Sequence, residues 1–308
     1  MIAASPDARR VAFIGLGNMG APMARHLRNA GHQVSGYDPS ESARARAAAA
    51  GVEVLNHLAD IPGRFDVVML MLPNSGVVEE VLVGDDGLLD RLTPDSVVVD
   101  MGSSKPASTK ALAAIAENIG VGYVDAPVSG GVVGAETGTL TIMVGGREKD
   151  IDRVRELLDV LGGNISHLGP PGAGHALKAL NNLMSATHLL ISSEALLAGQ
   201  RFGLDVQVML DAVNTSSGRS GSTEVKWPRY IVPESYDSGF GLSLMLKDMR
   251  IAVELASECG LPSQLGQVAV ELWSRADQAL GPGADHTRIA SWLANRPVSS
   301  PEPDRQPK

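Results

Sequence analysis

The chain is 308 residues long, enough for one large domain or two ordinary ones, and its 44% hydrophobic and 20% charged content is that of a soluble globular protein. A formal net charge of −9 excludes any general attraction to nucleic acid or anionic lipid. No apolar run reaches the roughly 18 residues that a membrane span needs; "VVMLMLP" is far too short.

The opening "MIAASPDARR" has no apolar signal core, so residues 1–10 are expected to be a flexible start and the protein cytoplasmic. Short β-rich runs then alternate with helical stretches. Strands are expected at "VAFIG" (11–15), "QVSGY" (33–37), "DVVMLML" (66–72), "SVVVD" (96–100), "GYVDAP" (122–127) and "LTIMVGG" (140–146). The unbroken apolar runs suit strands covered on both faces, as in a parallel sheet. Between them "NMGAPMARHLRNA", "SESARARAAAA", "SKPASTKALAAIAENIG" and "EKDIDRVRELLDVLG" have helical spacing. The alternation predicts a doubly wound α/β, Rossmann-like domain over 11–168.

The character changes at the Gly/Pro cluster "HLGPPGAG" (167–174), which sets a domain boundary near 169. Beyond it no strand is expected. Helices are predicted over 174–202, 205–213, 242–260, 262–280 and 285–294, giving an all-helical second domain over 169–295. The Pro-rich, polar end "RPVSSPEPDRQPK" (296–308) reads as a disordered tail. The single cysteine, Cys259, cannot form an internal disulfide and is expected to be a small buried apolar residue near a helix end.

Three segments carry chemistry. In "VAFIGLGNMGAPMARHL" the run Gly15-Leu16-Gly17-Asn18-Met19-Gly20 joins a strand to a helix, where glycines let the backbone approach a pyrophosphate at the helix N-terminus. Asp38, 18 residues beyond Gly20, stands near the position of an acid that binds ribose hydroxyls. The alternative is a Gly-rich turn with a helix-capping Asp. A carboxylate at 38 would repel a 2′-phosphate, which favours NAD over NADP; FAD fits the same loop. The second segment is "DAPVSGGVVGAETGTLTIMVGG" (125–146). Its Ser129-Gly130-Gly131 turn could expose backbone N–H groups to a carboxylate, or could be an ordinary glycine-lined turn. The third, "GAGHALKALNNLMSATHLLISS", is an apolar helix with one formal charge, Lys178, and Asn181 and Asn182 a turn later. In isolation it leaves an even choice between a lysine that snorkels or neutralises a remote acid and a lysine that does chemistry.

Taken together, "FIGLGNMGAPMARHL", "DAPVSGGVVGAETGTLTIMVGG", "GAGHALKALNNL" and "LMLKDMRIA" fall in an order that resembles the β-hydroxyacid dehydrogenase family, typified by 3-hydroxyisobutyrate dehydrogenase and tartronate semialdehyde reductase. The resemblance runs from about residue 10 to 294. It implies a Rossmann-like domain and an all-helical domain joined by a long helix, and subunits paired as homodimers or homotetramers. Lys178, within G-x-G-x-x-x-K-x-x-N-N, is implied as the catalytic residue and Asn182 as a substrate-positioning one. Ser129, Gly130 and Gly131 would hold the substrate carboxylate. Lys247 of "LMLKDMR" would lie at the domain interface beside the nicotinamide. Leu72, Pro73, Val77 and Ser103 match family cofactor contacts, with Gly102 where a Ser is usual.

The implied reaction interconverts a short β-hydroxy acid and its semialdehyde or keto acid with NAD. A lysine with its ordinary pKa near 10.4 is a poor base at neutral pH; burial or a nearby positive nicotinamide would lower that value. No Asp or Glu lies between 160 and 193 to oppose this. His175 and His188 read as ordinary polar residues and Glu194 as structural. The polar segment 214–240 is the least family-typical, and reads as a loop in which Arg219 could grip a second anionic group of the substrate or could simply be solvated. No metal is expected. The competing readings are an imine reductase or other reductase of the same architecture, disfavoured by Lys178; a 6-phosphogluconate-type enzyme, disfavoured by the small helical domain; and a non-catalytic NAD-binding scaffold.

Overall fold

The computed structural model describes residues 8–61 and 65–296. The expected flexible start and tail therefore lie, for residues 1–7 and 297–308, outside the described residues. Packing divides the chain into two compact units. One runs through Asn181 and also takes Glu254–Leu261; the other holds Asn182–Val253 and resumes at Pro262.

The first unit is built on β1 (Arg10–Ile14), α1 (Gly20–Asn29), β2 (Gln33–Tyr37), α2 (Glu41–Ala49), β3 (Glu53–Val54), β4 (Val67–Leu70) and α3 (Ser75–Val83). It continues through β5 (Val97–Asp100), α4 (Pro106–Asn118), β6 (Gly122–Asp125), β7 (Val128–Ser129), α5 (Gly131–Thr137), β8 (Leu140–Gly146), α6 (Glu148–Asp152), α7 (Arg155–Leu161) and β9 (Gly162–Gly169). The sheet order is β3-β2-β1-β4-β5-β6-β8-β7, with β9 beside β8. Strands β1 to β6 are parallel to their neighbours, and β8 returns antiparallel to β6.

Burial explains the strand composition. Val11, Phe13, Val67, Met69, Val97 and Val99 feed one core, while Ala12, Ile14, Val68, Leu70 and Val98 feed another. Successive residues point to opposite faces, so a strand buried on both must be apolar throughout. The expected α/β architecture is thus the observed one. Two details differ. The segment 148–162 forms two short helices rather than one, and "GGNISHLG" forms an extra strand, β9, before the Gly/Pro cluster.

The second unit is mostly helical. α8 (Ala173–Phe202) begins in the first unit and continues through the second, followed by α9 (Val206–Asn214), a π-helical segment (Ser222–Ile231), α10 (Leu242–Glu258), α11 (Gln264–Leu280) and α12 (Ile289–Ala294). Its core gathers Leu189, Leu210, Trp227, Ile231, Met249 and Trp273. The segment 214–240 is therefore not simply a polar loop: its middle is a helix that buries Thr223, Trp227 and Ile231, despite Pro228. Cys259 corrects another expectation. It is exposed, because it follows the last residue of α10, beyond the buried positions Met249, Ala252 and Ala256.

The third glycine of the phosphate loop shows why that position is fixed. A Cβ on Gly20 would collide with the Gly15 carbonyl oxygen and meet the Phe13 ring at 3.0 Å. Gly20→Ala is expected to cost on the order of 2 kcal/mol through overpacking, read as a lower urea midpoint; an unchanged midpoint would contradict this packing role.

Candidate active site

Parallel register sets the site's base. Ile14, Leu70, Asp100 and Asp125 are successive cross-strand neighbours at the C-terminal ends of β1, β4, β5 and β6. Just past this row come Gly15, Leu72, Pro73, Ser103 and Ser129, so segments far apart in sequence emerge from one sheet edge. Ligands of open α/β sheets bind at that edge.

At β1 the loop is tied down by backbone and by Asp38. Gly15 N–H donates to the Tyr37 carbonyl at 2.8 Å. The Leu16 and Ser40 N–H groups each donate to the Asp38 carboxylate at 2.8 Å. α1 starts with no side-chain cap and no acidic residue in its first turn, whereas α2, α3 and α9 are capped by Ser40, Asn74 and Asp205. A Cβ on Gly17 would meet nothing within 4 Å. An uncapped, positive helix end beside an open glycine suits a pyrophosphate. The residues present therefore fit a dinucleotide. Val77 is half-buried in the first turn of α3, where its N–H donates to the Asn74 side chain at 3.1 Å, and Ser103 is half-buried just beyond β5.

At β6 the same sheet edge produces two features. Ser129 ends β7, and Gly130 and Gly131 lead into α5. Asp125, fully buried, accepts the N–H of Gly172 at 2.7 Å and that of His175 at 2.9 Å, through separate carboxylate oxygens. This carboxylate therefore caps the start of α8 from a neighbouring strand. Gly174 makes the approach possible: a Cβ there would strike the Met143 carbonyl and lie 2.9 Å from the Asp125 carbonyl. His175 is buried too, with Nδ1 2.7 Å from Thr109 Oγ1 and Nε2 3.7 Å from an Asp100 oxygen. Ser104 Oγ and Gly102 N–H donate to Asp100 at 2.8 and 3.0 Å. His175 is thus an anchor of the helix start rather than an ordinary polar residue. Lys178, half-buried, follows one turn later.

In the second unit the structure brings Asn182 and Lys247 together through a residue that sequence reasoning missed. Asp248 is buried, accepts Asn182 Nδ2 at 2.6 Å and lies 3.1 Å from Lys247 Nζ. Its signal was an acid directly after Lys247, at the end of the apolar run Leu244-Met245-Leu246. The Arg219 side chain is 62% exposed and pairs with Glu224 at 3.5 Å. His188 and Glu194 are exposed. The inward cation of the 214–240 segment is Lys226, whose Nζ donates to Ser185 Oγ at 2.8 Å. Burial lowers the Lys226 pKa to about 8, against the attraction of Asp285. Burial and the Lys226 charge together lower His286 to about 4. Among the described residues no cluster of three His, Cys, Asp or Glu side chains could hold a metal ion.

Two family models match the chain. Residues 10–169 match the NAD binding domain of 6-phosphogluconate dehydrogenase, and residues 172–293 match the NAD-binding domain of NADP-dependent 3-hydroxyisobutyrate dehydrogenase. The chain is 37% identical over 276 residues to the 2-(hydroxymethyl)glutarate dehydrogenase of Eubacterium barkeri, covering 90% of this chain and 91% of that one. It is 38% identical over 271 residues to the NAD-dependent L-serine dehydrogenase of Pseudomonas aeruginosa, covering 86% and 91%. The Mycobacterium tuberculosis 3-hydroxyisobutyrate dehydrogenase solved with L-serine superposes with a TM-score of 0.86 at 33% identity, over 93% of this chain and 99% of that one.

Holding a desolvated ammonium at position 226 costs stability. The unfolded chain binds the extra proton between pH 8 and 10.5, so this cost is full below about pH 8 and fades as the pH rises to 10.5. Lys226→Met is expected to raise Tm at pH 7 by roughly 3 °C or more, with the gain shrinking at pH 10. A lower Tm at pH 7 would contradict this cost.

Proposed function

The chain belongs to the β-hydroxyacid dehydrogenase family, and on that premise we propose that Lys178 is the general acid/base for oxidation of a short β-hydroxy acid with NAD. The protein is an oxidoreductase of CH–OH groups with a nicotinamide-binding Rossmann domain. The observation that carries the assignment of Lys178 is the Asp125 cap, which ties the start of its helix to the strand end from which the Ser129 turn also emerges.

Held by the phosphate loop, NAD would supply the acceptor for the hydride of the carbinol carbon. The chain's own residues handle the rest. The neutral amine of Lys178 accepts the hydroxyl proton, and in reverse its ammonium returns that proton to the carbonyl oxygen. Ser129, with the N–H groups of Gly130 and Gly131, holds the substrate carboxylate. Asn182 and Lys247, joined through Asp248, position the substrate without adding an unpaired charge. Gly15 to Gly20, Asp38, Leu72, Pro73, Val77 and Ser103 hold the cofactor, and the Asp38 carboxylate favours NAD.

The relatives are named for 2-(hydroxymethyl)glutarate, L-serine and 3-hydroxyisobutyrate, each a primary alcohol β to a carboxylate. The substrate we assign is of that class and its product a semialdehyde. We also assign a cytoplasmic homodimer or homotetramer, supported by the exposed apolar positions Leu180, Met184 and Ile191 along α8. The domain limits we adopt are 11–168 and 169–295.

The test is NADH formation from a panel of β-hydroxy acids with wild type and Lys178→Ala. Removing a general base is expected to lower kcat by about 10²- to 10⁴-fold while NAD affinity stays within about threefold. Equal rates would overturn the role of Lys178, and NAD binding without turnover of any compound would favour a non-catalytic scaffold.

A further inference from the structure

The turn between β2 and α2, within the first unit, holds a carboxylate and a guanidinium side by side. Both oxygens of the carboxylate are committed to backbone. Asp38 Oδ2 accepts the N–H of Leu16 and Oδ1 that of Ser40, each at 2.8 Å. Arg44, half-buried in the first half of α2, reaches back over the same turn. Its Nη1 donates to the Asp38 carbonyl at 2.7 Å and to the Pro39 carbonyl at 3.2 Å. Among the described residues the Arg44 side chain makes no other hydrogen bond and no ion pair.

One nitrogen thus anchors the guanidinium and the rest of it is unused. The edge formed by Nε and Nη2 carries N–H donors in a fixed plane, with the spacing of two phosphate oxygens. That edge belongs to a side chain lying against the main chain of Asp38, the residue assigned to the ribose hydroxyls. In NADP a phosphate replaces one of those hydroxyls. Its charge would meet the Asp38 carboxylate, with Glu41, exposed at the start of α2, adding charge of the same sign. Both cofactors are used on this architecture. The L-serine dehydrogenase relative is NAD-dependent, and the family model over residues 172–293 is that of an NADP-dependent enzyme.

We propose that Arg44 is a latent 2′-phosphate clamp: its free edge takes the phosphate of NADP, and the Asp38 carboxylate is what keeps NAD the preferred cofactor. This rests on the reading that the Gly15–Gly20 loop and Asp38 hold a nicotinamide dinucleotide. A purely structural Arg44, holding the turn by its two carbonyls, would support both cofactors alike. A clamp separates them.

The experiment is calorimetric titration of the full chain with NAD and with NADP, without substrate. Wild type is expected to bind NAD more tightly. Arg44→Met should leave NAD affinity within about threefold and weaken NADP about 10-fold or more, the loss of charge-assisted hydrogen bonds. Asp38→Asn should raise NADP affinity about 10-fold or more relative to NAD. Most of that gain should vanish in Asp38→Asn/Arg44→Met, while Arg44→Lys, a point charge without a fork, keeps part of it. Equal weakening of both cofactors in Arg44→Met would make the residue a holder of the turn and overturn the proposal. So would a wild type without preference for NAD, a gain in Asp38→Asn that survives Arg44→Met, or no NADP binding in either wild type or Asp38→Asn. The Arg44→Met comparison is made with Asp38 intact, so it decides even if Asp38→Asn does not fold. If wild type binds neither dinucleotide, the cofactor reading itself fails and the clamp falls with it.

Discussion

The interaction on which the rest depends is the pair of hydrogen bonds from Gly172 and His175 N–H to the buried Asp125 carboxylate. A buried carboxylate is tolerable only when its lone pairs are used, and the unpaired N–H groups of a helix start are the donors best suited to use them. Each side solves the other's problem. The result ties a 30-residue helix, α8, to the end of β6. Because β6 lies in register with β5, β4 and β1, the same contact ties α8 to the edge from which the phosphate loop emerges. Asp100 and His175 extend the arrangement sideways, with Thr109 Oγ1 at 2.7 Å from the imidazole. Lys178, one turn further on, inherits its place from them.

The second unit follows a different logic. Its core of Trp227, Trp273, Met249 and Leu189 is apolar, but it accepts three charged side chains at or near its interior: Asp248, Lys226 and Asp285. Asp248 is neutralised by Lys247 and satisfied by Asn182. Asp285 is satisfied by its own turn. Lys226 has only a hydroxyl, and its charge helps to keep His286 neutral well below its ordinary pKa.

Much of this was legible in the sequence. The parallel strands announce themselves because burial on both faces forces continuous apolar runs, and the phosphate loop because its glycine spacing is local. What escaped was set by tertiary structure. β9 is exposed at five of its eight positions and half-buried at the other three, so "GGNISHLG" shows no alternation to read. The helix Ser222–Ile231 hides behind a proline and polar residues, and its anchor Trp227 is recognisable only once the core exists. Asp125 looked like part of a turn motif and His175 like a bystander, since their partners lie 47 to 66 residues away. The ion pair of Arg219 with Glu224 was not legible either, since it depends on the turn between them.

The most direct test of the account is to change the Asp125 carboxylate into an amide and follow turnover and cofactor binding separately. In Asp125→Asn one of the two oxygens facing Gly172 and His175 becomes an NH₂ group, so a donor confronts a donor while shape is kept. The expected result is a folded protein whose NAD affinity stays within about threefold, because the phosphate loop and Asp38 are unchanged, but whose kcat falls by at least about 10-fold as the proposed base, Lys178, loses its fixed position. Unchanged kcat in a variant shown to have lost protection of the His175 amide from hydrogen exchange would contradict it.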